Sequence, residues 1–136
     1  MIDTSVMVAG LVENHEFHDL ARPHVVAAAD GSVPGIVLAE TWAALRRGPW
    51  NLGSDVVEET LAPWAASDRI VATPVDAYEL VLRQGRSLNL GGSVHDMLIA
   101  LTCAAHGLPL TTLDRRQAVL ARTLPTLPVT SLLDDL

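Results

Sequence analysis

The sequence predicts an α/β domain whose short, mostly parallel strands form a central sheet covered on both faces by helices. Three observations point there. Compact apolar or β-branched runs alternate along the chain with stretches of helical periodicity. Strands this short and apolar belong to a sheet buried on both sides. The 136 residues, 49% hydrophobic, suit one domain with a sizeable core, so 1–136 is read as a single domain.

The elements follow in order. Met1 and Ile2 are the tail of a short strand that breaks at Asp3 and enters a helix through Thr4 or Ser5, both good caps, with Val6, Val8, Ala9 and Val12 at helical spacing. A second amphipathic stretch runs from about Glu16 to Ala29 and stops at Asp30-Gly31. A brief apolar strand is expected over Gly35 to Val37, then a helix through Glu40, Trp42 and Leu45 that ends at Gly48-Pro49. Ser54 to Ala66 reads as a Ser-capped helix, Arg69 to Thr73 as a strand ended by Pro74, and Pro74 to Leu88 as a helix with proline in its first turn. Ser93 caps a helix that runs to His106, with Gly107 as its stop. Leu108 to Leu113 is the next strand, Asp114 to Arg122 a helix, and Pro128-Val129-Thr130 a last strand.

Charge narrows the function. Sixteen acidic against nine basic residues give a net charge of −7, the wrong sign for gripping nucleic acid by general coating of phosphates. All nine basic residues are arginine, which suits bidentate phosphate contacts. The single cysteine, Cys103, excludes a disulfide framework and a thiolate zinc cage. The longest apolar runs fall far short of a membrane span, and no basic segment followed by a long apolar one opens the chain, so a cytoplasmic protein is expected.

In parallel α/β sheets, ligands gather beyond the carboxyl ends of the strands. Asp3 follows the first strand and Asp114 follows the strand 108–113, so both emerge at one rim. Glu40, on the first turn of the helix after the second strand, reaches the same rim. Asp96 lies near the start of its helix, with apolar Ile99, Ala100 and Cys103 at i+3, i+4 and i+7, which places a carboxylate on a face expected to be buried. A buried carboxylate requires compensation by a metal or an arginine. Taken singly, Asp3 and Asp114 also serve as helix caps, and Glu40 and Asp96 suit the positive ends of their helices.

Asp3-Thr4-Ser5, Glu40 at the head of an early helix, Asp96 in Val-His-Asp-Met-Leu-Ile-Ala, and Leu-Pro-Leu-Thr-Thr-Leu-Asp ending at Asp114 together resemble the PIN-domain ribonucleases, and more narrowly the VapC toxins of type II toxin-antitoxin systems. The resemblance spans nearly the whole chain and implies a three-layer α/β/α fold with a mostly parallel sheet. It also implies that Asp3, Glu40, Asp96 and Asp114 are the catalytic residues and hold Mg²⁺ or Mn²⁺ through oxygen ligands, for hydrolysis of phosphodiester bonds in tRNA or rRNA. Thr4, Ser5 and Thr112 then steady the carboxylates, and Arg115 and Arg116, with Arg46 and Arg47, are nearest for RNA capture. Two departures stand out. Only Met1 and Ile2 precede Asp3, where the family carries several apolar residues, and neither Gln117 nor Val119 is the acid or aromatic often found there, so no fifth acidic ligand is expected. As partners the resemblance implies a VapB-like antitoxin, suited by the negative charge, and a homodimer.

Two rival classes remain at this level. One is a non-catalytic binding module in which the acids are only caps. The other is a phosphotransfer enzyme with Asp3 as nucleophile, which lacks the usual Asp-x-Asp because Ser5 stands at the second position. Among other residues, His15 and His18 read as surface groups without a third metal ligand, and His95 is expected to point away from Asp96. Trp42, Trp64 and Cys103 read as core, and Trp50, in Gly48-Pro49-Trp50-Asn51, as an interface residue.

Overall fold

A computed structural model describes residues 1–66 and 68–136. Its elements are α1 (Thr4–Leu11), α2 (His18–Ala28), β1 (Val33–Pro34), α3 (Gly35–Arg46), α4 (Ser54–Leu61) with a 3-10 turn (Ala62–Trp64), β2 (Ile70–Val71), α5 (Val75–Gln84), α6 (Val94–Ala105), β3 (Leu110–Thr112), α7 (Arg115–Ala121) and β4 (Val129–Ser131). β1 pairs with β2 and β3 with β4, both parallel. Ile2 adds a parallel bridge to Thr111, closed by Asp3 N–H to Thr111 O at 3.1 Å and Thr111 N–H to Met1 O at 2.8 Å. Ile2 thus joins β3 through a single bridge rather than a strand. Among the described residues the sheet therefore forms two hydrogen-bonded pieces, order β1-β2 and β3-β4.

One core holds them together. Ile2, Val33 and Leu110 from the strands meet Val6 and Met7 of α1, Val25 of α2, and Ile99 and Cys103 of α6. A second cluster under α5 and α6 contains Val81, Leu90, Met97 and Leu98, and a third joins Val8, Val12, Leu45 and Val57. No helix among the described residues is long and apolar enough to cross a membrane.

Several expectations are corrected. Gly35 to Val37 is helix, and the strand lies two residues earlier. Ile36-Val37-Leu38 looks β-prone, but Val37, Thr41 and Leu45 are all fully buried at i, i+4 and i+8, a helical face that outweighs β propensity. Glu40 consequently sits on the second turn of α3, not the first. The cap of α1 is Asp3, whose carboxylate accepts from Val6 N–H, not Thr4 or Ser5. α4 starts after Gly53 and ends at Leu61, because Pro63 tightens the chain into the 3-10 turn. Ser93 occupies the cap position of α6 without making a side-chain cap bond. At the other end of α6 the expected stop holds: Gly107 takes φ +64°, and Leu108 N–H reaches back to Cys103 O at 3.0 Å. Trp64 is buried and donates to Ala28 O at 3.0 Å, whereas Trp42 is 39% exposed and does not fill the core.

Close approach of α1 and α2 depends on Gly10. A Cβ there would stand 3.1 Å from Val25 Cβ and 3.2 Å from Ala21 O. Gly10→Ala is expected to lower stability by about 1–3 kcal/mol through overpacking, more than the roughly 1 kcal/mol of helix propensity it gains. Urea unfolding measures the difference.

Candidate active site

The acids are placed by helix starts. Asp3 ends the Ile2 bridge and caps α1, and Asp114 ends β3 and caps α7, its Oδ1 accepting Arg116 N–H at 2.7 Å and Gln117 N–H at 3.2 Å. Because Ile2 and β3 run parallel and adjacent, the two turns that follow them lie side by side.

Two hydroxyls join those turns. Ser5 Oγ donates to Asp3 Oδ1 at 2.6 Å and accepts Leu113 N–H at 2.9 Å. Thr112 Oγ1 donates to Asp3 Oδ2 and accepts Asp114 N–H at 2.9 Å. Asp3, only 3% exposed, thus has both oxygens engaged. Its carboxyl is nevertheless pushed up to about 6: burial outweighs the bonds from Ser5, Thr112 and Val6 that favour the charged form, and the charge of Asp114 adds to the rise. A buried carboxylate held by three donors is poorly presented as a nucleophile, which counts against the phosphotransfer alternative. Thr112→Val would leave a buried carboxylate oxygen and the Asp114 N–H without their partner. It is expected to cost about 1–3 kcal/mol in urea unfolding, with Thr112→Ser close to wild type.

Glu40 and Asp96 come from α3 and α6. Thr4 Oγ1 donates to Glu40 Oε1 at 2.7 Å, and His95 Nδ1 stands 3.5 Å from Glu40 Oε2. His95 therefore points toward the acids, against the sequence expectation. Asp96 is half-buried rather than enclosed, although Ile99, Ala100 and Cys103 are buried as the spacing requires. Its pKa is raised, first by burial and then by the charges of Asp114 and Glu40, with Arg116 and His95 opposing. Glu40, Asp96 and Asp114 thus share one electrostatic neighbourhood, and Asp3 is coupled to it through Asp114.

Convergence is incomplete, however. Among the described residues no three acid, histidine or cysteine side chains stand close enough to hold a metal ion as placed. Three of the four carboxylates are turned onto their own donors: Asp3 onto Ser5, Val6 and Thr112, Glu40 onto Thr4, Asp114 onto α7. The donor set still fits a hard divalent cation, since it is all carboxylate oxygen and carries mutual repulsion that positive charge relieves.

Sequence reasoning missed Gln117. It is 1% exposed, its Nε2 donates to the Asp96 backbone oxygen at 3.0 Å, and its N–H helps cap Asp114, so one side chain ties α7 to the start of α6. Its Oε1 is buried without a partner among the described residues. Of the basic residues, Arg115 and Arg116 are exposed beside Asp114. Arg46 instead donates to Leu52 O at 2.9 Å and Arg47 Nε to Ala43 O at 3.1 Å. His15 and His18 do not form a helical pair: His15 precedes α2, and the Nδ1 of His18 pairs with Ala9 O.

Two clefts open beside the acids. One, of about 520 Å³, is lined by Thr4, Ser5, His15, Phe17, Asp114 and Arg115. The other, of about 450 Å³, holds Thr4, Glu40, Arg47 and His95. Thr4 borders both.

Short parallel strands, two helices started by Asp3 and Asp114, and Glu40 and Asp96 in the electrostatic neighbourhood of Asp114 define an α/β domain with a group of acids on one side. The PIN domain family model matches residues 1–123, and the chain belongs to that family, whose members are generally metal-dependent nucleases. No curated protein matches the chain significantly.

Proposed function

We propose that this PIN-domain protein is a Mg²⁺- or Mn²⁺-dependent endoribonuclease toxin of the VapC type that hydrolyses phosphodiester bonds in tRNA or rRNA. The observation that carries the reading is that a chain of the PIN family brings Asp96 of α6 into one neighbourhood with Asp114 at the start of α7 and Glu40 of α3. Outside a cation site, such a grouping of acids is a cost that Arg116 and His95 offset only in part.

Asp3, Glu40, Asp96 and Asp114 are the residues that hold the cation. When bound, it supplies an acidified water and neutralises charge on the phosphoryl oxygens. The chain's own groups do the positioning. Ser5 and Thr112 fix Asp3 against the β3–α7 turn, Thr4 steadies Glu40, and Gln117 ties the Asp96 helix to Asp114. Arg115 and Arg116, exposed beside Asp114, draw the phosphate of the strand toward the acids despite the net charge of −7.

A VapB-like antitoxin as inhibitor is supported by that negative charge. It is supported too by an apolar groove of about 490 Å³, lined by Leu38, Trp42, Leu61 and Trp64, along the helix that carries Glu40. A segment filling it with apolar side chains comes within reach of the acids with a basic one. A homodimer is supported by the outward face of α5, where Val75, Tyr78 and Leu82 are exposed between acids Asp76 and Glu79 and the basic Arg83 and Arg86. Two such helices packed antiparallel bring opposite charges together. Light scattering is expected to give about twice the 14.5 kDa chain mass.

The test is cleavage of a total tRNA and rRNA pool by purified protein with Mg²⁺ or Mn²⁺, with EDTA, and with Asp3→Ala and Asp96→Asn proteins prepared identically. Discrete internal cuts that need metal and vanish in both variants are expected. Equal activity in wild type and variants would remove these acids from the reaction. Acid caps in a mere binding module predict no cleavage and no specific metal response.

A further inference from the structure

The larger cleft has residues that the acid chemistry leaves unused. Besides Thr4, Ser5 and Asp114 it is lined by Arg115 and by His15, Glu16 and Phe17, the chain's only phenylalanine. The ring centroids of His15 and Phe17 are 6.0 Å apart at 43°, and His15 leans in turn on Trp50, 5.5 Å away at 36°. All three aromatic residues are half-buried, so they are held in place yet offer ring surface. Phe17 N–H donates to His15 Nδ1 at 3.1 Å. With Nδ1 accepting, a ring proton sits on Nε2, so the ring offers an aromatic face with a donor at its edge. Arg115, at the rim, is exposed and forms no ion pair among the described residues.

An aromatic pair, an exposed guanidinium and the Asp114 carboxylate within one cleft match the parts of a single nucleotide: a flat base, a phosphate anion, and the neighbouring phosphate to be cut. We infer that this cleft binds an unpaired nucleobase of the RNA strand, next to the scissile phosphate, packed against His15 and Phe17 with its own phosphate at Arg115. The inference rests on the ribonuclease reading and assigns base contact to His15 and Phe17, which need a base with a free face. Stacking on aromatic rings is tolerant of base identity, so His15 and Phe17 hold the strand without selecting its sequence. Trp50 acts behind His15 as a positioning residue.

Binding, measured apart from cleavage, decides it. Fluorescence anisotropy in EDTA compares a labelled single-stranded oligouridylate with a ribose-phosphate strand of equal length that lacks bases. Wild type is expected to favour the strand with bases by on the order of tenfold. Phe17→Leu, which keeps apolar volume but not the ring face, and His15→Ala are each expected to erase that preference while the affinity for the abasic strand and the melting temperature stay as in wild type. Equal binding of both strands by wild type, binding of neither, or a preference kept by both variants overturns the inference. Because no metal is present, these outcomes are separate from loss of metal-dependent cleavage, which tells against the ribonuclease reading itself.

Discussion

Asp96→Asn is expected to lower metal-dependent RNA cleavage by on the order of 10³-fold at saturating RNA, because several kcal/mol of charge stabilisation at the reacting phosphate depend on a correctly held cation. The same protein in EDTA is expected to melt no lower than wild type. Asp96 is half-buried and its charge is opposed by Asp114 and Glu40, so removing it relieves repulsion. Among the described residues the Asp96 side chain accepts no hydrogen bond that would be lost, and Gln117 contacts the backbone oxygen of residue 96, which the substitution keeps. Parallel single-turnover cleavage and thermal melts check both halves. A loss of activity together with a loss of stability would assign Asp96 a structural role.

Metal-free protein is expected to lose stability as pH rises from about 4 to about 6. Asp3 ordinarily titrates at 3.8 and in the fold at about 6, so across this window the unfolded chain has released the proton while the folded chain retains it. The folded state binds more protons. Its advantage is therefore complete below 3.8 and is lost as pH passes through about 6. A shift of this size corresponds to about 3 kcal/mol at most, and the raised pKa of Asp96 adds to it in the same direction. Asp3→Asn removes the titrating group, so subtracting its urea-unfolding profile from that of wild type isolates the effect. A flat difference across the window contradicts the burial cost assigned to Asp3. Saturating Mn²⁺ is expected to reverse the slope, since the cation favours the charged carboxylate.

Parts of this arrangement were legible in the chain itself, for reasons of local chemistry. Asp3 and Asp114 announce helix starts, and Gly107 a helix stop, because cap and left-handed positions select few residue types. The rim position of these two acids follows from the strands just before them. The strand expected at Gly35 to Val37 failed because a short apolar run reads alike as a buried strand or a buried helix face, and only packing of Val37, Thr41 and Leu45 decides. Trp42 was misplaced for a related reason: helical spacing identifies a face, not what covers it.

Contacts between distant elements were out of reach. His95 meets Glu40 across 55 residues of chain, and Gln117 reaches Asp96 across 21. No periodicity encodes either pairing. Gln117 drew notice only as a position lacking an acid, whereas its amide serves the site by bridging helices. The cleft wall of His15 and Phe17 was hidden because both lie in the irregular stretch before α2. A signal was nonetheless present, a lone phenylalanine between two histidines.

Titration of Mn²⁺ into the metal-free protein by calorimetry tests most directly whether Asp3, Glu40, Asp96 and Asp114 form a cation site. Saturable binding by wild type, abolished in Asp96→Asn and in Asp114→Asn while both remain folded, is the predicted result. Absence of saturable binding to wild type, or identical isotherms for all three proteins, would contradict it.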